Sequence, residues 1–286
     1  MVNARRAGVV LVCLALAGCS LFDDEGRVTL SVADAPVDGV DAVVVQFSRV
    51  VFVTDDDQRE SISLSPPVAV NLLELTGGDH FALLADRRLP QGRYRKIEFR
   101  VDAAAGAADS YVLERGSTIG ESLVVPDEYR PQLTVSTDFT VERRRSVAVT
   151  VDFDLRRSLF RTQDGRYELR PRLRTVLDDE AGTVGGTASS ALLDNCSGPA
   201  VYAFSGSNAA TDDVDGLDPE PIQSAIVNAG DGRYAIGFLN AGSYTLAFTC
   251  DADRDEPGES NDDAVRFLRK LNVTIVARRA TTVNFN

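Results

Sequence analysis

The sequence predicts an all-β fold, antiparallel sheets arranged in two domains, and three observations predict it. Apolar and polar residues alternate at period two in several segments, turn residues recur about every ten positions, and the longest mature apolar run is rich in β-branched side chains. The length of 286 residues suits two domains of ordinary size, and the 44% hydrophobic content is enough for two ordinary cores. An acidic break at Asp178-Asp179-Glu180-Ala181-Gly182 divides the chain into residues 27–178 and 179–286.

The first element precedes both domains. Arg5 and Arg6 stand before an apolar run from Ala7 to Ala17 that is too short to cross a bilayer, which reads as a secretory signal. The run ends in Leu16-Ala17-Gly18-Cys19, which resembles the lipobox of bacterial lipoproteins. In that motif small residues admit the signal peptidase and the cysteine thiol, here Cys19, receives diacylglycerol. The alternative is a plain secretory peptide with an incidental cysteine. On the lipoprotein reading residues 1–18 are cleaved, 19–26 form a lipidated tether, and the acyl chains are the membrane contact, because no later apolar stretch approaches about 20 residues. Ser20 stands where the sorting rule of enteric-type bacteria would place Asp for inner-membrane retention, so that resemblance implies the outer membrane. A tether this short spans at most ~25 Å, which would hold the first domain close to the bilayer.

Charge and cysteine usage narrow the function classes. The 43 acidic residues outnumber the 30 basic ones, for a net −13, and loss of Arg5 and Arg6 with the signal deepens it. A nucleic-acid partner is excluded, because a phosphate-tracking surface needs an excess of Lys and Arg. With one histidine, a His triad or a His/Cys zinc site has almost no raw material. Cys13 leaves with the signal and Cys19 takes lipid, so Cys196 and Cys250 remain as an even pair in an oxidising compartment. A disulfide is expected, closing a loop of roughly 50 residues and adding about 4 kcal/mol in the chain-entropy model. The alternative is two free, buried thiols.

In the first domain Val28, Leu30 and Val32 alternate before Asp34-Ala35-Pro36, read as a turn in which Asp caps the backbone two residues on. The run Val40–Val53 is nearly continuous and apolar, and its β-branched content makes it a central strand pair and not a helix. Tyr94–Val101 alternates after the turn Pro90-Gln91-Gly92; Leu133, Val135, Phe139 and Val141 share one parity, as do Val147, Val149, Val151 and Phe153. One buried and one wet face is the antiparallel pattern. Asp152 and Asp154 flank inward-pointing Phe153 and are expected as solvated strand carboxylates, the other reading being a cation site with Asp34 or Asp38. His80, beside Asp79 in a glycine turn, is expected at the surface and not as a base.

Several of these segments, in order, resemble the DUF4382 domain of bacterial envelope lipoproteins. They are Val28–Asp38, Val45–Val50, Val70–Leu75, Leu89–Ile97, Val151–Asp154 and Gly165–Leu173, with Ala33 standing where the family usually has Thr. The resemblance implies an extracytoplasmic β-sandwich-like domain and supplies no catalytic residue.

In the second domain, Gly232–Phe248 carries Gly-x-Tyr-x-Ile followed by Leu-x-x-Gly-x-Tyr-x-Leu. This resembles carboxypeptidase-regulatory-like or prealbumin-like modules and implies a second sandwich. Tyr244, Leu246, Phe248 and Cys250 share a face, which points Cys250 at the core; either Val201 and Ala203 or Tyr202 and Phe204 face inward on the strand after Cys196. Asp251, Asp253 and Asp255 alternate, and Asp262 falls at the twelfth position, a spacing that resembles the start of an EF-hand loop and suggests calcium. Glu256 replaces the turn glycine, Asp replaces the terminal Glu, and strands flank the loop in place of helices. A second acidic loop, Asp212, Asp213, Asp215, Asp218 and Glu220, is expected nearby.

No nucleophile elbow, zincin motif or phosphate loop occurs in the sequence. The reading is therefore a non-enzymatic, lipid-anchored binding or structural component of the envelope, whose partner is an envelope protein or glycan. The alternative is a carbohydrate-binding or calcium-dependent adhesion module. Trp 0 weakens the sugar reading, although Tyr111, Tyr129 and Tyr202 are available.

Overall fold

The computed structural model describes residues 24–34, 36–256 and 263–286. The signal segment, Cys19 and Asp262 lie outside the described residues. The chain runs β1 (Glu25–Ala33), β2 (Val40–Thr54), β3 (Arg59–Asn71), β4 (Phe81–Pro90), β5 (Gly92–Val101), β6 (Tyr111–Glu114) and β7 (Glu121–Val124). It continues through β8 (Leu133–Val141), β9 (Ser146–Asp152), the helical turn α1 (Leu155–Ser158), β10 (Leu159–Arg161), β11 (Tyr167–Leu169) and β12 (Arg174–Leu177). After the acidic break come β13 (Ala181–Thr187), the turn α2 (Ser190–Leu193), β14 (Ala200–Ser205), β15 (Gln223–Ile226), β16 (Arg233–Asn240), β17 (Gly242–Thr249), β18 (Phe267–Ile275) and β19 (Ala280–Thr282). The fold is all-β and sandwich-like.

Residues 25–177 form two sheets, ordered β12-β9-β1-β4 and β10-β11-β7-β6-β2-β5-β8, with β3 also paired to β2. Their apolar faces enclose one core, in which Phe47 meets Phe99 and Phe153 edge-on at 5.7 and 5.6 Å. The valine-rich run is one continuous strand, not a strand pair. A register shift between Phe47 and Arg49 in both of its neighbouring ladders moves the core positions from Val43, Val45 and Phe47 to Val50 and Phe52. That extra residue is why the segment lacks a clean period in sequence. β8 has its own register shift against β5, between Ser136 and Phe139, yet still buries Leu133, Val135, Phe139 and Val141 as its alternation predicts. Most pairings are antiparallel, while β1–β9, β7–β11 and β13–β19 are parallel.

Residues 181–282 form the sheets β16-β13-β19 and β15-β14-β17-β18. Val184 and Ile236 from the first meet Val201, Leu246 and Phe248 from the second, with Phe285 closing the core. Beside β13 the C-terminal segment runs so close that a Cβ on Gly186 would stand 1.7 Å from the Val283 carbonyl oxygen. β14 is buried on both faces: Val201 and Ala203 enter this core, while Ala200, Tyr202 and Phe204 enter a second cluster with Val214, Ala247 and Ala252. Both sequence readings of that strand therefore hold at once. Cys196 and Cys250 form a disulfide, and both packed side chains are half-buried at the core edge.

A single device turns the chain from one sheet into the other in each half, from β4 to β5 and from β16 to β17. In Leu89-Pro90-Gln91-Gly92-Arg93-Tyr94 the Tyr94 hydroxyl donates to the Pro90 carbonyl at 2.9 Å, and in Leu239-Asn240-Ala241-Gly242-Ser243-Tyr244 the Tyr244 hydroxyl donates to the Asn240 carbonyl at 2.8 Å. Burial pushes the Tyr94 phenol up to about 12, with the Glu60 charge adding to the effect. Each ring packs while its hydroxyl ties the turn to the following strand. Tyr94→Phe or Tyr244→Phe is expected to cost about 1 kcal/mol in urea denaturation, with the slope of the transition unchanged.

Candidate functional site

Phe153 points into the first core, so Asp152 and Asp154 fall on the other side of the chain, but that side is not wet. Asp152 is 0% exposed and Asp154 5%, which overturns their reading as solvated strand carboxylates. Both are covered by arginines from later segments. Arg174 of β12 reaches Asp152 at 2.8 Å, and Arg157 of α1 stands 3.7 Å from Asp154 while also pairing with Glu220. Burial drives the Asp154 carboxyl up, the adjacent Asp152 charge adds to this, and Arg157 and Arg174 offset only part. Asp34 reaches beyond its own turn. Its Oδ1 accepts the Leu155 amide at 2.8 Å, capping the start of α1 from across the fold.

α1 aims its arginines at the second half. Arg156 is 2% exposed; its Nη2 donates to Asp38 at 2.9 Å and its Nη1 to the Ala252 carbonyl at 3.0 Å, and the guanidinium lies 5.7 Å from the Tyr202 ring centre. The Tyr202 hydroxyl in turn donates to Asp255. Arg174 makes a parallel link, donating to the Phe238 carbonyl at 2.7 Å and to Gln223. Beside the Arg174 link at Phe238 the backbones touch: a Cβ on Gly237 would lie 2.4 Å from the Gly78 Cα, and His80 meets Phe238 edge-on at 5.7 Å. His80 is exposed beside this contact.

The acidic loops divide in a way the spacing did not indicate. Residues 252–254 form a short 3₁₀ turn, so the alternating acids do not share one side. Asp251 accepts the Arg266 amide at 3.1 Å and Asp253 the Ser197 hydroxyl at 3.2 Å. Asp255 turns inward, accepting Tyr202 and the Val214 amide at 2.9 Å. There it meets Asp213 from the other loop and Asp263: one carboxylate oxygen from each lies within 4.8 Å of the others. Of the acids expected to bind calcium, Asp251, Asp253 and Asp255 are described, and of these three only Asp255 joins this cluster. Asp213 belongs to the second acidic loop expected nearby, but neither it nor Asp263 was singled out as a ligand, because proximity between separate loops leaves no spacing signal.

The aromatic trio suggested for sugar stacking does not converge. Tyr202 is fully buried under Arg156, and only Tyr129 lines a shallow cleft of about 370 Å³, beside Arg100, Asp102 and Arg130.

A family model described as a domain of unknown function, DUF4382, matches residues 25–171. No curated protein matches the chain. Among solved structures the chain is similar to the Bacillus anthracis TIE protein, at 9% identity and a TM-score of 0.22 over 91% of this chain and 33% of that one. It is similar to a streptococcal ancillary pilin at 15% identity and a TM-score of 0.20, over 92% and 63% of the two chains. It is also similar to the shaft pilin SpaA of Lactobacillus rhamnosus GG, at 10% identity and a TM-score of 0.21, over 90% and 96%. The chain thus spans about a third of the first of these proteins and under two thirds of the second.

Proposed function

The chain belongs to the DUF4382 family, and from that premise we propose that it is a non-enzymatic cell-envelope lipoprotein, anchored through Cys19, that serves as a rigid binding or structural component. The observation that carries this reading is the arginine seam. Arg156 and Arg174 leave the first sandwich and end on backbone carbonyls of the second, at Ala252 and Phe238. Two modules joined in this way present a fixed surface, which suits a stationary component better than a flexible reach. Among the described residues of the seam, the buried carboxylates face arginines, backbone amides, the Tyr202 hydroxyl or one another.

The anchor reading rests on Leu16-Ala17-Gly18-Cys19. Among the described residues no helix is long and apolar enough to cross a membrane. The favoured location is the outer membrane, with an envelope protein or glycan as partner.

Fractionation of cells expressing the wild type and Cys19→Ser tests the anchor. The wild type is expected in the membrane fraction, released only by detergent, with an intact mass raised by the lipid; Cys19→Ser is expected in the soluble fraction. Equal partitioning of the two proteins, with no added mass on the wild type, would sink the reading.

A further inference from the structure

We propose that Asp213, Asp255 and Asp263 form a calcium site on the outer face of the second sandwich. Three oxygens from three acids converge within 4.8 Å, a separation that ligands at 2.3–2.6 Å from one hard cation produce. The second observation is independent of that clustering. Asp213 is 2% exposed, yet its Oδ1 has no hydrogen-bond partner. An unpartnered carboxylate oxygen buried this deeply is costly unless something positive completes it.

The remaining oxygens are oriented by backbone amides and, at Asp255 Oδ2, by the Tyr202 hydroxyl. Asp213 Oδ2 accepts the Asp263 amide at 2.5 Å, Asp263 Oδ2 accepts the Glu256 amide at 2.9 Å, and Asp255 Oδ1 accepts the Val214 amide at 2.9 Å. These bonds orient the three carboxylates without neutralising them. Arg156 acts on Asp255 but is already engaged with Asp38 and Ala252.

The chemistry selects the ion. Every donor is a hard oxygen, which excludes soft-metal preference, and the donors come from two irregular loops that offer no octahedral frame, which favours calcium over magnesium. A site with three charged ligands completed by water belongs with the weaker calcium modules, at about 10⁻⁴–10⁻³ M. This inference does not depend on the lipid anchor.

The test is calorimetric titration and thermal unfolding of the purified full chain with calcium chloride, magnesium chloride or EDTA. The wild type is expected to bind one calcium per chain and to unfold several degrees higher in 5 mM calcium than in EDTA, with a smaller shift in magnesium. Asp213→Asn is expected to lose the calcium response and to be at least as stable as the wild type in EDTA, since it removes an unpartnered buried charge. Asp253→Asn, which alters an acid directed at Ser197, is expected to keep the response. The proposal is overturned if the wild type gives neither heat nor a thermal shift up to 10 mM calcium. It is equally overturned if Asp213→Asn folds and responds like the wild type. Should Asp213→Asn fail to fold, the wild-type titration with the Asp253→Asn control still decides.

Discussion

Arg156→Ala is expected to lower the free energy of unfolding by about 3–5 kcal/mol, because removing one partner of a buried charge network leaves the others uncompensated. The wild-type guanidinium is almost wholly buried and serves three groups at once: Asp38, the Ala252 carbonyl and the Tyr202 ring. Its loss also weakens the support of the buried Tyr202–Asp255 pair: the Tyr202 hydroxyl and the Val214 amide draw the Asp255 carboxyl down against desolvation, and the Arg156 charge adds to them. Arg156→Lys should recover only a small part of the loss. An ammonium cannot serve two acceptors through a planar fork while stacking on a ring. The link between the halves also makes a prediction about cooperativity. Wild-type urea denaturation followed by circular dichroism should give one transition, whereas Arg156→Ala should unfold earlier and in two steps. As a reference, Arg145 pairs with Glu142 at the surface with a side chain 76% exposed, and Arg145→Ala should cost no more than about 1 kcal/mol. An Arg156→Ala protein that unfolds in a single step within that same margin of the wild type would refute the structural role given to the seam.

What was readable in the sequence follows from how each element is solvated. β8 could be read residue by residue because one of its faces is wet, so polarity and position agree. β14 could not, because loops cover its outer face and bury Tyr202 and Phe204 as deeply as Val201 and Ala203. The disulfide was legible from cysteine arithmetic and compartment, with no geometry needed. The charged seam was not legible, since the partner of Asp34 is the amide of Leu155 and those of Asp152 and Asp154 are arginines on other elements. A carboxylate that will be solvated and one that will be capped look the same in a strand pattern. The acidic loop shows the same limit: alternate spacing implies a shared side only in extended chain, and the turn at 252–254 breaks that geometry.

Asp154 should make the protein lose stability as the solution becomes more alkaline, against the usual behaviour of a paired carboxylate. Its carboxyl is pushed up to about 7 by burial first and by the Asp152 charge second, with Arg157 and Arg174 pulling the other way. In the unfolded chain the same group titrates near 4. Between those values the folded state binds the extra proton, so the unfolded state binds fewer and the free energy of unfolding falls as pH rises. The stabilisation is complete below about pH 4 and is lost through about pH 7, an effect on the order of 4 kcal/mol for a shift of this size. Asp213 and Asp255, also held up by burial, contribute with the same sign, so the wild-type profile alone cannot isolate Asp154. Asp154→Asn does isolate it. The residue sits at φ +37°, in the left-handed region that Asn adopts with little strain, and the amide keeps the shape of the protonated acid. The variant should match the wild type within about 1 kcal/mol at pH 4.5 and exceed it at pH 8 by most of that effect, measured by urea denaturation at both values. A difference between the two proteins that does not change with pH would mean that Arg157 and Arg174 hold the buried carboxylate charged throughout, and that the seam is an ordinary buried ion-pair network without a proton of its own.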